Sequence, residues 1–240
     1  MSADQPSGAN RPKGHQAAGT IRTAMAVEDD DRALPRGPHG LSRDEVARSQ
    51  RRRLLDATTD EVAERGYVKT TVAHILARAG VSRATFYDLF PDREACFQAA
   101  YEANADLVAQ VMAAELKKVK ASGDEEPLAR LDRVLRVYLL ALRDAPTLAR
   151  VFLVEVYAAG PEAIEQRRVS LERFVDIVAE THRGETGIIG VRKDQRFAVQ
   201  AFVGSVSSMV TNAVAAGEGD RLLELHKPLM RLAAQLTQKS

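Results

Sequence analysis

The chain has 240 residues, of which 45% are hydrophobic, enough to bury a real core, yet only 5% are aromatic and none is tryptophan. Its 34 Lys and Arg against 33 Asp and Glu leave a net charge of +1, which excludes a protein that coats nucleic acid by bulk electrostatics; any such contact must be local. The one cysteine, Cys96, excludes an intramolecular disulfide and a cysteine-rich metal site and suits a reducing cytoplasm, while no apolar run of about 18 residues is expected to span a bilayer and the N-terminus lacks an apolar signal region.

Residues 1–40 scatter Gly, Pro, Ser, Asn and Gln among charges without an apolar period and read as a disordered N-terminal extension. Helical signals begin at once after it. Ser42 with Glu45 forms a capping box, Leu41 with Val46 has the spacing of a hydrophobic staple, and Leu54, Thr58 and Val62 continue one face to Arg65 before Gly66. The spacing therefore predicts a helix over 43–65. Thr70 or Thr71 caps a second helix with Val72, Ile75, Leu76 and Ala79 inward, and Gly80 ends it. Ser82 caps a short third helix with Phe86, Leu89 and Phe90 inward, stopped by Pro91. Arg83, Ala84, Tyr87 and Asp88 then lie outward, with Thr85 at the edge. A helix, a glycine turn and a short helix with outward polar groups is the build of a helix-turn-helix that enters the major groove of DNA.

The chemistry of reading fits those side chains. The Arg83 guanidinium can donate twice to guanine O6 and N7, Ala84 can touch a thymine methyl, and Tyr87 can contact a base or a phosphate. Lys69, Thr70 and Thr71 stand at the start of the second helix, where free backbone amides favour an anion, and Ser82 occupies the same place on the third. Residues 41–97 hold ten basic and nine acidic side chains, so placement rather than bulk charge must supply the contact. Arg51, Arg52 and Arg53 cluster on the first helix, within reach of backbone phosphates or merely solvated.

Between Leu54 and Tyr101 the pieces AERGY (63–67), TTV (70–72), AGVS (79–82), TFY (85–87) and FPDRE (90–94) follow in order. In these the chain resembles the N-terminal domain of the tetracycline-repressor (TetR) family of bacterial transcription regulators. The resemblance implies a DNA-binding domain over 41–97, a regulatory and dimerisation domain over 98–240, and a nucleoid-associated location in a bacterial cytoplasm. It also implies a phosphate contact from Arg93, where the family usually has lysine at the start of the fourth helix. Two departures stand out. His74-Ile75-Leu76 replaces the common Asp-Ile-Ala, and Ala73 shortens the reach at a position where a longer polar residue often meets DNA.

The rest of the chain shows helical periods punctuated by proline: 94–122, 127–144, 146–158, 161–183, 194–216 and 219–238, with a glycine-containing loop over 184–193. The expected fold is all-α, a three-helix DNA-binding domain joined to a larger helical ligand-binding and dimerisation domain. The helix over 194–216 is apolar nearly all round, with Gly204, Ser205, Ser207 and Ser208 keeping one side small, so both sides must be covered. Phe197, Phe202, Val206, Met209 and Val210 are the expected homodimer seam, a four-helix arrangement with 161–183 that the resemblance also implies. Phe97, Tyr101, Tyr138, Phe152, Tyr157 and Phe174 are candidates for lining a pocket for an unknown small-molecule effector, or are ordinary core.

Catalytic readings fare poorly. The histidines at 15, 39, 74, 182 and 226 have no metal-ligand spacing, the glycines at 184, 187 and 190 lack the Gly-Lys-Ser/Thr ending of a phosphate loop, and no metal, cofactor or catalytic group is expected. The leading expectation is a repressor that binds a palindromic operator in double-stranded DNA as a homodimer and is released by a small molecule. The alternatives are a helical protein-interaction adaptor, or a carrier or enzyme using the C-terminal cavity.

Overall fold

A computed structural model of the chain describes residues 42–123, 126–182 and 193–237, and every regular element among them is helical. The 1–40 extension, Leu41 of the expected staple and nearly all of the 184–193 loop lie outside the described residues. Helix α1 (Arg43–Arg65) opens on the capping box: Ser42 Oγ accepts from the Glu45 amide at 3.2 Å, and the Glu45 carboxylate accepts from the Ser42 amide at 2.6 Å. Helix α2 (Val72–Ala79) follows, then α3 (Arg83–Leu89) and the long α4 (Arg93–Ala121), which Asp92 caps through the Ala95 amide at 2.8 Å.

Two apolar cores share α1 and α4. Leu54, Leu55 and Ala57 of α1 enclose a small core with Ile75, Phe86, Phe90, Cys96 and Ala100, which welds α2 and α3 to α1 and α4. Leu54, Ile75 and Phe86 are fully buried, worth roughly 1.5–3 kcal/mol each in apolar burial. Val62 near the end of α1, Tyr67 in the loop after it, and Phe97 and Tyr101 on another face of α4 join a larger core instead. The expected boundary at 97/98 thus falls inside one unbroken helix, with Cys96 in one core and Phe97 in the other.

The larger core is completed by α5 (Pro127–Asp144), α6 (Pro146–Leu153), α7 (Pro161–Glu180), α8 (Lys193–Ala215) and α9 (His226–Thr237). Proline occupies the first turn of α5, α6 and α7, where its missing N–H leaves no bond unmade. Two expected helices are corrected. The 146–158 helix breaks after Leu153 and resumes as a 3-10 segment, Glu155–Ala158, and the last helix is preceded by another 3-10 segment, Gly219–Leu225. The expectation about apolar runs is also corrected: Arg196–Ala215 has the length and a mean hydropathy of 1.3 that a membrane-crossing helix needs, by composition alone. A third of that stretch is buried against the rest of the chain (33%), and Gln200, Thr211 and Asn212 interrupt it.

Candidate functional site

The site is built on α3. Ser82 Oγ accepts from the Thr85 amide at 3.1 Å and bonds the Thr85 hydroxyl at 2.9 Å, fixing the first turn. Phe86 is fully buried and Phe90 nearly so, with ring centroids 5.9 Å apart, and they anchor the inner side. Ser82, Arg83, Ala84, Tyr87 and Asp88 are exposed, and Thr85 is half-buried. The Arg83 guanidinium lies 6.0 Å from the centre of the Tyr87 ring one turn on, and the Tyr87 ring packs edge-on against Phe86 at 5.3 Å. The two side chains expected to read bases therefore support each other on an anchored helix.

The turn before α3 depends on Gly80, whose φ of +61° is left-handed backbone, and whose missing Cβ leaves room for Arg53 Nη2 2.7 Å from where that atom would sit. Arg53 donates to the carbonyls of Ala79 and of Gly80, the latter at 3.1 Å, closing the end of α2. Arg51 lies 5.4 Å over the Phe90 ring and is exposed. The α2 register is held from α1 by Arg78, which bonds Glu61 at 2.7 Å and Glu64 at 2.5 Å. Burial pushes the Glu61 carboxyl up, but the bonds from Arg65 and Arg78 outweigh it and hold the group below the usual carboxylate range. In the small core, burial pushes the Cys96 thiol up to about 11, against the opposing effects of Thr58 and Arg51, and so keeps it in the unreactive neutral form.

At the start of α2 the two threonines divide their work. Thr71 caps the helix, its hydroxyl accepting from the His74 amide, and His74 Nδ1 accepts in return from the Thr71 amide, both at 3.3 Å. His74 thus serves in the capping box where Glu or Gln is usual. The expectation for Thr70 is corrected: its side chain is fully buried and donates to the carbonyls of Glu61 (3.2 Å) and Gly66 (2.9 Å), so its hydroxyl cannot meet a phosphate. Arg93 is corrected in part. Its Nη1 donates to the carbonyls of Tyr67 (3.1 Å) and Thr70 (2.5 Å) and its guanidinium stacks 4.3 Å over the Tyr67 ring, so it braces the α1–α2 loop first of all. Lys69 and Thr71 remain exposed beside the start of α2.

Residues 54–100 match the family profile described as bacterial regulatory proteins, tetR family. Over that fifth of its length the chain is similar to the tetR family. It is 26% identical over 135 residues to the HTH-type transcriptional regulator RutR of Escherichia coli K12, covering 56% of this chain and 60% of that protein. Over 86 residues it is 33% identical to the HTH-type transcriptional regulator BetI of Klebsiella pneumoniae, covering 36% and 43%. The chain thus spans less than two thirds of the length of these relatives. In fold it resembles the transcriptional regulator FadR of Bacillus subtilis in complex with stearoyl-CoA, with a TM-score of 0.61 at 21% identity over 75% of this chain and 96% of that one.

The larger core contains a small cavity of about 30 Å³ between α4, α5, α7 and α8. Met112, Leu131, Leu135, Leu171 and Phe202 line it with Tyr138 and Phe174, and Ser207 is its one hydroxyl-bearing aliphatic residue. Of the six expected lining residues only Tyr138 and Phe174 reach it. Phe97, Tyr101 and Phe152 form the aromatic layer behind, with Tyr101 and Phe152 stacked at 5.4 Å and Phe152 edge-on to Phe174 at 5.9 Å. Tyr157 is corrected outright: it is 54% exposed, and its hydroxyl accepts from Arg167 Nε at 2.9 Å.

The seam expectation also divides. Phe202, Val206 and Val210 are buried in the chain's own core and are corrected, whereas Phe197 (71% exposed) and Met209 (40%) face outward. Between them Ala201, Gly204 and Ser208 make an exposed stripe of small side chains. Sequence reasoning also missed Glu155, whose carboxylate accepts from the Tyr67 amide at 2.9 Å and pairs with Arg150 at 3.0 Å. Glu155 ties the α6 end of the large core to the loop that Arg93 braces. Its signal was slight, a single acid inside an apolar run.

Proposed function

We propose that the chain is a transcriptional regulator that reads an inverted repeat in double-stranded DNA as a homodimer and releases it when a small molecule occupies the cavity between α4, α5, α7 and α8. The observation that carries the reading is the division of α3, with Phe86 buried and Arg83, Ala84 and Tyr87 exposed on an otherwise anchored helix. Exposed Lys69, Thr71 and Ser82 supply the flanking phosphate contacts, the latter two beside helix-start amides. Arg51 is within reach of the backbone from α1. On this reading the protein works in the bacterial cytoplasm, on the nucleoid.

Homodimerisation through α8 and α7 would cover Phe197, Met209 and the small stripe between them, and set two α3 helices about 34 to 36 Å apart, one turn of DNA. Coupling would run through Glu155. A molecule that fits the cavity in only one arrangement of α6 and α7 shifts the hold on Tyr67, and through Arg93 the seat of α2 and α3. The fold's likeness to a regulator described with stearoyl-CoA supports an apolar molecule in such a cavity.

The test is binding to DNA from upstream of the chain's own gene and its neighbours. Specific, salt-sensitive retention of a palindromic duplex is expected, and Arg83→Ala should bring the target down toward unrelated sequence. Equal binding of all duplexes by the unaltered protein would reject the reading.

A further inference from the structure

Three charged side chains are buried among the described residues: Glu61, Glu155 and Arg167. The two acids each have an arginine, Glu61 with Arg65 and Arg78 and Glu155 with Arg150. Arg167, 6% exposed, has only neutral partners. Its Nε donates to the Tyr157 hydroxyl at 2.9 Å, Nη1 to the Phe152 carbonyl at 3.5 Å and Nη2 to Ser207 Oγ at 2.7 Å, with the Tyr157 ring 5.0 Å from the guanidinium. A guanidinium has five N–H donors, so at least two are left without an acceptor. A buried charge without a counter-charge is costly.

This cation stands one hydrogen bond behind the cavity, because the Ser207 that accepts from it is the same residue that lines the wall. Tyr101 lies in the same region: its ring is fully buried and its hydroxyl has no hydrogen-bond partner. Burial raises the proton affinity of that hydroxyl, while Ser170 and Arg167 beside it act in the opposite direction. Ser207 on the cavity wall, the Arg167 cation behind it and the Tyr101 O–H beside that cation form a donor set that the described residues leave partly unused.

We infer that Arg167, with the hydroxyls of Ser207 and Tyr101, receives the carboxylate of an amphipathic effector whose apolar body enters and widens the small cavity lined by Leu131, Leu135, Phe174 and Phe202. The inference rests on the reading of that cavity as the effector site. One buried cation balances one negative charge, so a monoanion completes the pair where a dianionic phosphate would leave an uncompensated charge, and the guanidinium fork matches a carboxylate bidentately. The carboxylate takes the place of the Ser207 hydroxyl on Nη2 or accepts from both. Arg167 also holds Tyr157 and the Phe152 carbonyl, on either side of Glu155, so loading it acts on the segment that carries the tie to Tyr67.

The test is calorimetric titration of the full chain at neutral pH with decanoate and with 1-decanol, which share a tail and differ in charge. Decanoate is expected to bind at least tenfold more tightly. Arg167→Met, which keeps the volume and drops the charge, should bring decanoate to the level of decanol, and Tyr101→Phe should weaken decanoate at least threefold with decanol unchanged. Equal affinities for the two probes on the unaltered protein, or a decanoate preference that survives Arg167→Met, would overturn the receptor and leave the cavity standing. Binding of neither probe would overturn the cavity reading along with it. If Arg167→Met does not fold, the comparison on the unaltered protein and the Tyr101→Phe variant decide the matter.

Discussion

On the proposed reading, base contact and phosphate contact fall to different side chains, and so their losses should look different. Arg83→Ala removes the donor pair proposed to meet base edges and should cost about 1 to 3 kcal/mol of discrimination at one operator position, read by competition between the target and single-base variants. Lys69→Ala should instead weaken every duplex alike and flatten the dependence of log K on log salt by about one unit. Glu61 carries the pH prediction. Its folded proton affinity is depressed, so its contribution is present above the ordinary carboxylate range, near 4.3, and is lost as pH falls through the lower folded value. Urea denaturation over roughly pH 3 to 6 should show that acid limb, and Glu61→Gln should flatten it. Two threonines side by side at 70 and 71 illustrate what residue types alone leave open: either can cap, and only the packing of the loop sends one hydroxyl to the carbonyls of Glu61 and Gly66 and the other to the helix.

At the scale of elements, α1 to α3 were legible because local signals agree with the global fold there: a capping box, a left-handed glycine, a serine cap and a proline stop each fix a boundary. Helix α8 was legible as a helix and illegible in rotation. Apolar residues surround it, so no face is marked as the chain's own, and the expected seam mixed inward Phe202, Val206 and Val210 with outward Phe197 and Met209. Arg167 was missed for the opposite reason. It interrupts the buried stripe Ala163, Ser170, Phe174 of α7, where an arginine reads as surface unless its neighbours three and four residues away are weighed. The tie between the two cores gives the prediction at this scale. Glu155→Ala leaves the buried Tyr67 amide unpaired and should cost about 1 to 3 kcal/mol in urea denaturation, with effector and DNA binding less strongly coupled than in the unaltered chain.

For the whole molecule, near-neutral charge decides how affinity must arise. The proposed DNA-binding segment, with ten basic and nine acidic side chains, has little sequence-independent attraction to offer, so one copy of α3 should hold DNA poorly and two correctly spaced copies should hold it well. Placing a charge in the exposed small stripe, Gly204→Glu, should give a monomer in sedimentation at micromolar concentration and lose operator binding with the fold intact by circular dichroism. The most direct measurement of the account is fluorescence anisotropy of the unaltered protein on three duplexes: the inverted repeat found by footprinting, a single half-site, and the repeat with its half-sites moved apart by half a helical turn. The account predicts tight binding to the first alone, with two chains per duplex. Equal affinity for the half-site and the intact repeat, or one chain bound per repeat, would contradict it.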